Sequence, residues 1–113
     1  MDDDLFTQAV ERAIASLPPK LREAMSNVGI VVEDEPPYGA RLLGLYQGVP
    51  LTRRGSGYSG VLPDKITIYR RPLERLYGRD PALLERQVRR TVLHEIAHHF
   101  GISDERLVEL DRY

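Results

Sequence analysis

Near the end of a 113-residue chain, His94, Glu95 and His98 stand in the order H-E-x-x-H, and the pattern runs on through Gly101 and Asp104 as H-E-x-x-H-x-x-G-x-x-D. An α-helix turns once in about 3.6 residues, so His94 and His98 leave the same face one turn apart, where both imidazoles reach a single cation. Glu95 sits about 100° round the helix from His94. Its carboxylate therefore lies beside such an ion, in reach of water but outside the ligand set. Gly101 can take the left-handed conformation that ends a helix and folds the chain back. That brings Asp104 up as a third ligand, with Glu105 as its rival for the place. Two neutral nitrogens and one carboxylate around Zn2+ leave one position open, the pattern of catalytic rather than structural zinc sites. The chemistry expected of this set is hydrolysis: the ion acidifies water and Glu95 takes the proton as general base.

A ligand pair of this kind needs a rigid helix. Asp80-Pro81 supplies a capping Asp followed by Pro in the first turn. No breaker follows before Phe100, giving about 30 Å of helix. Leu84, Val88 and Val92 form its core stripe, while Glu85, Arg86, Arg89 and Arg90 wet the other side. Beyond Thr91, apolar residues spread round the helix, so its last two turns enter the interior. Buried imidazoles and a carboxylate there require partners, which a metal ion would supply. His99 projects away from His94 and His98, towards Val88 and Val92, and reads as a hydrogen-bonded core histidine.

Upstream, residues 3–17 carry apolar residues at helical spacing from Leu5 to Leu17, with Asp3 or Asp4 as cap and Pro18-Pro19 as stop. Lys20 to Ser26 reads as a second, short helix with Leu21, Ala24 and Met25 on one side. Both are expected to back a sheet. Val28 to Glu33 is β-branched and reads as the first strand. Asp34 to Gly39 is a loop whose acids form a solvated rim. Arg41 to Tyr46 resumes strand character, and Val49 to Thr52 would complete a hairpin. Arg53 to Gly60, with three Gly and two Ser, reads as a connection or as a flap whose Arg53, Arg54 or Tyr58 touches a ligand. Lys65 to Arg70 alternates Ile66, Ile68 and Arg70 with Thr67 and Tyr69 and is the clearest strand of the chain. Arg71 to Gly78 gives one or two helical turns, and Ser103 to Leu110 a closing helix. The fold class is α+β, one domain over 1–113: a small mixed sheet backed by an N-terminal helix and the long helix that bears the motif.

Composition narrows the function classes. At 42% hydrophobic and 29% charged residues, the chain has the make-up of an ordinary soluble globule. Its 16 basic residues are scattered and matched by 17 acids, and the net charge of −1 makes no electrostatic case for nucleic acid or an anionic membrane. The absence of Cys excludes disulfides and thiolate metal sites. An acidic start, Met1-Asp2-Asp3-Asp4, and no apolar run of membrane length point to a cytoplasmic protein without signal peptide or span.

The motif resembles that of zincin metallopeptidases. Its form with Asp as third ligand is similar to the metzincin branch, as varied in small secreted snapalysin-type proteases. The chain more closely resembles a bacterial family of very small zincin-like metallopeptidases, through Leu43-Gly44-Leu45-Tyr46-Gln47-Gly48, Leu62-Pro63-Asp64-Lys65-Ile66-Thr67-Ile68-Tyr69 and Val88 to Leu107. The resemblance implies a minimal zincin-like fold and zinc-dependent peptide hydrolysis, with His94, His98 and Asp104 as ligands and Glu95 as catalytic residue. The substrate would be a peptide or flexible protein segment. It also implies an edge strand above the active-site helix that binds extended substrate by strand addition. Lys65 to Arg70 is the candidate, with Tyr69 as a donor to the reacting carbonyl. One departure stands out: nine residues follow Asp104 and none is Met, so the metzincin Met-containing turn has no counterpart there. Two other readings fit the motif. Zinc endoribonucleases carry H-x-x-x-H-x-x-x-x-x-H, with the third ligand at the spacing of Asp104, but lack Glu95 and need a basic surface. A zincin-like regulatory binding module would keep the metal and have little turnover.

Overall fold

The computed structural model describes residues 3–25, 27–48 and 64–101. In chain order these form α1 (Asp3–Ala15), α2 (Pro19–Ala24), β1 (Val28–Glu33), a one-turn 3-10 helix (Pro37–Gly39), β2 (Gly44–Gln47), β3 (Asp64–Tyr69), α3 (Arg70–Tyr77) and α4 (Pro81–His99). The class is α+β, as expected. Asp3 and Asp4 lie inside the first turn of α1 rather than before it, where their charge complements the positive end of the helix dipole. Phe6, Ala9, Val10 and Ala13 give α1 its buried stripe, while Leu5 is 48% exposed. Leu21 of α2 is also exposed, and Met25, directly after that helix, is buried in the core.

The three strands form a mixed sheet in the order β1-β3-β2. β1 runs parallel to β3, Ile30 beside Ile66 and Val32 beside Ile68. β2 runs antiparallel on the other side, Gly44 beside Ile68 and Tyr46 beside Ile66. This corrects the expectation that Lys65 to Arg70 is an edge. β3 is the centre of the sheet, and Ile66, Thr67, Ile68 and Tyr69 are all buried, because the strand is covered on both faces. Among the described residues, the edge near the motif helix is β2. The ladder runs past its end: the Tyr69 amide donates to the Leu43 carbonyl at 2.9 Å, and the Arg71 amide to the Asp34 carbonyl at 3.0 Å.

Arg70 does not continue the strand. It opens α3, and its guanidinium joins three parts of the chain, reaching Asp34 Oδ1 and Asp3 Oδ1 at 2.6 Å each and Glu74 Oε1 at 3.5 Å. The rim acids are thus ion-paired, Glu35 with Arg75 in the same way. These guanidinium hydrogen bonds hold both carboxyls below their ordinary values of 3.8 and 4.5.

α4 is 19 residues long. Asp80 Oδ1 accepts from the amides of Ala82 at 3.1 Å and Leu83 at 3.3 Å, which satisfies two of the orphan donors of the first turn. Leu84, Val88 and Val92 are fully buried and Ile96 nearly so, against Phe6, Val10, Ile66, Ile68 and Leu73 in one core cluster. The helix ends where Gly101 takes φ 81° and its amide bonds to the His98 carbonyl at 2.9 Å. No helix among the described residues is long and apolar enough to cross a membrane.

Candidate metal centre

The last two turns of α4 lie under the β2 edge. Gly44, the first residue of β2, sits so close to the helix that an added Cβ would come within 3.0 Å of Glu95 Cγ and of Thr91 Cγ2. Glycine is required here for close approach, and that approach sets β2 directly over the Glu95 side chain. Thr91 is held by its own hydroxyl, which donates to the Gln87 carbonyl at 2.8 Å. A cleft of about 360 Å³ opens between the helix and the segment leading into β2, with His94, Glu95, Thr91, Leu43 and Gly44 on its walls.

On the helix face, the His94 and His98 ring centroids are 4.7 Å apart, with their planes at 75°. Ligand atoms of His94, Glu95 and His98 all lie within 4.8 Å of one another. Glu95 is 7% exposed, and its Oε1 is 3.3 Å from His98 Nδ1. A carboxylate taken out of water beside two imidazoles needs positive charge. Neutral imidazole nitrogens with a carboxylate at hand are the donor set that zinc takes. Among the described residues this is the one group of at least three His, Asp or Glu so assembled.

The family model of zincin-like metallopeptidases matches residues 25–113, more than half of the chain. The chain belongs to that family. No curated protein matches it. In this zincin-like protein the pairing of His94 with His98, the position of Glu95 and the left-handed Gly101 are as the motif requires. Asp104 and Glu105 lie outside the described residues, as do Tyr58 with the rest of Arg53 to Gly60, the strand expected over Val49 to Thr52, and the closing helix from Ser103 to Leu110. Tyr69 is 2% exposed in the central strand, and burial pushes its hydroxyl pKa up, with Glu33 adding to the effect. It does not line the cleft beside His94 and Glu95.

Behind the metal face lies an interior polar group. His99 is 1% exposed and Asp64 2% exposed. His99 Nδ1 donates to Asp64 Oδ2 at 2.7 Å, and the Tyr46 hydroxyl donates to the same oxygen at 2.6 Å. A carboxylate can only accept, so the hydrogen of His99 is on Nδ1. Its Nε2 is buried without a hydrogen bond. This group joins the end of α4 to the start of β3 and to β2, which fixes the turn of helix bearing His98 against the sheet. The histidine was legible in the sequence as a core residue; its partners were not. Gly44, Tyr46 and Asp64 nevertheless all fall in the stretches that carried the family resemblance.

Proposed function

We propose that this zincin-like protein is a zinc-dependent peptidase in which Glu95 is the general base. The observation that carries the reading is the grouping of His94, Glu95 and His98 on one helix face at the wall of a cleft overhung by a sheet edge. His94 and His98 would hold the ion. Asp104 would complete the set, and the left-handed φ of Gly101 at the end of the helix is the conformation that such an arrangement calls for. When bound, zinc supplies Lewis acidity, lowering the pKa of water towards ~7 and polarising a carbonyl.

The chain's own residues do the rest. Glu95, beside both imidazoles and largely shielded from solvent, takes the proton of the attacking water on a carboxylate oxygen and later passes it to the leaving amine. Proton transfer of this kind contributes roughly 10²–10⁴-fold. β2, rather than β3, offers main-chain groups to an extended substrate, because it is the edge beside the cleft. A peptide or flexible segment suits an open cleft of this size better than a folded protein does. Hydrolysis of a quenched-peptide library, with and without a chelator and beside a single-stranded RNA, tests the reading. Chelator-sensitive peptide cleavage supports it. RNA cleavage without peptide cleavage would transfer the site to the endoribonuclease class, and metal binding with no turnover to the binding-module class.

A further inference from the structure

The cleft beside Glu95 carries a charge pattern that peptide hydrolysis as such does not require. Arg41, from the segment before β2, and Arg90, one turn before His94 on α4, line it together with Gln87. Glu95 is the one acid on its walls among the described residues. Nearby arginines are engaged, Arg70 by Asp34 and Arg75 by Glu35. Arg41 is exposed and has no acidic partner among the described residues. Leu42, Leu43 and Tyr77 add apolar surface to the same walls.

From this we infer that the cleft is a subsite for a peptide carboxylate near the scissile bond, with Arg41 as the specificity-determining residue. The inference rests on the peptidase reading of the site and names its substrate class. Guanidinium binds carboxylate through paired hydrogen bonds, and a cleft with low-dielectric walls concentrates the field of its charges. The apolar surface suits the methylenes between a peptide backbone and its carboxylate. Phosphate would also satisfy arginine, but a wall that continues into β2, an edge strand among the described residues, suits an extended peptide. The carboxylate has two possible sources, an acidic side chain within the peptide or the free C-terminus.

Equilibrium binding separates the inference from the question of turnover. Fluorescent peptides of one sequence, capped at both ends and carrying Glu, Gln or Lys at a single position, are titrated onto full-length Glu95→Gln protein purified with its metal. A fourth peptide carries Gln and a free C-terminal carboxylate, and a single-stranded RNA serves as competitor. The expected result is that the Glu peptide, the free-acid peptide or both bind on the order of ten-fold more tightly than the capped Gln peptide. Arg41→Glu should then invert the order in favour of Lys. Whichever acidic peptide is preferred identifies the source. Equal binding of all four peptides, or a preference unchanged by Arg41→Glu, overturns the subsite. So does RNA that displaces every peptide and binds more tightly than any of them. Hydrolysis of the same peptides by the wild-type protein judges the peptidase reading by itself: selective binding without cleavage sinks that reading and leaves the subsite standing.

Discussion

Glu95 occupies a position that only one kind of residue can fill if water is to be deprotonated beside the imidazole pair. Glu95→Gln keeps the size and hydrogen-bonding reach of the side chain but removes its basicity. The variant should retain metal and fold, while kcat/KM for peptide cleavage falls by roughly 10²–10⁴; wild-type turnover would show that the proton goes elsewhere. Gly44 makes a second demand at this scale. A methyl group there meets both Glu95 Cγ and Thr91 Cγ2 at 3.0 Å, and neither neighbour lies at the free end of a flexible chain. Gly44→Ala should cost about 1–3 kcal/mol in urea unfolding and slow turnover by moving the carboxylate. His94, Glu95 and His98 were legible in the sequence because helical spacing alone fixes their relative placement. Gly44 was not, since its need arises from the approach of two elements that are distant in the chain.

At the scale of elements, α4 was legible almost to the residue. Its cap, its uninterrupted apolar stripe and its glycine stop are all local signals, and each appears in the structure. The order of strands was not. Alternation in Lys65 to Tyr69 describes a strand with one wet face, yet pairing on both sides makes it the sheet centre, with Thr67 1% exposed. Strand order depends on which distant segments pair, and a short apolar run carries no record of that. For the proposed binding of an extended substrate, the edge beside the cleft among the described residues is therefore β2 rather than β3. The bond from His99 through Asp64 to Tyr46 holds these elements in place. Asp64→Ala leaves buried His99 and half-buried Tyr46 without their shared acceptor and should cost about 2–4 kcal/mol in urea unfolding. Asp64→Asn should cost less, since its amide oxygen still accepts. Equal stability of Asp64→Ala and wild type would remove this group from the account of how α4 is positioned.

For the molecule as a whole, the acid limb of stability should reflect the arginine-paired rim. Asp34 and Glu35 have folded pKa values lowered from 3.8 and 4.5, each chiefly through hydrogen bonds from Arg70 and Arg75. A lowered folded value means that their contribution is present above the unfolded pKa and is lost as pH falls through the folded one. Urea midpoints measured from pH 6 down to pH 3 should therefore be steady at first and decline below about pH 4.5. Arg70→Gln should flatten the Asp34 part of that decline, whereas a parallel decline in the variant would assign it to other groups. The same rim ties α1, the β1–β2 connection and α3 together.

Metal content per chain tests the centre of the account most directly. Wild-type protein and the variants Glu95→Gln, His94→Ala and His98→Ala are purified in parallel, dialysed against trace zinc and assayed for bound metal alongside their folded state. Wild type and Glu95→Gln should each hold about one zinc ion per folded chain, and the two histidine variants should hold almost none, as ligand loss at a site of this type requires. Folded histidine variants that bind zinc as fully as wild type would contradict the assignment of His94 and His98 as its ligands.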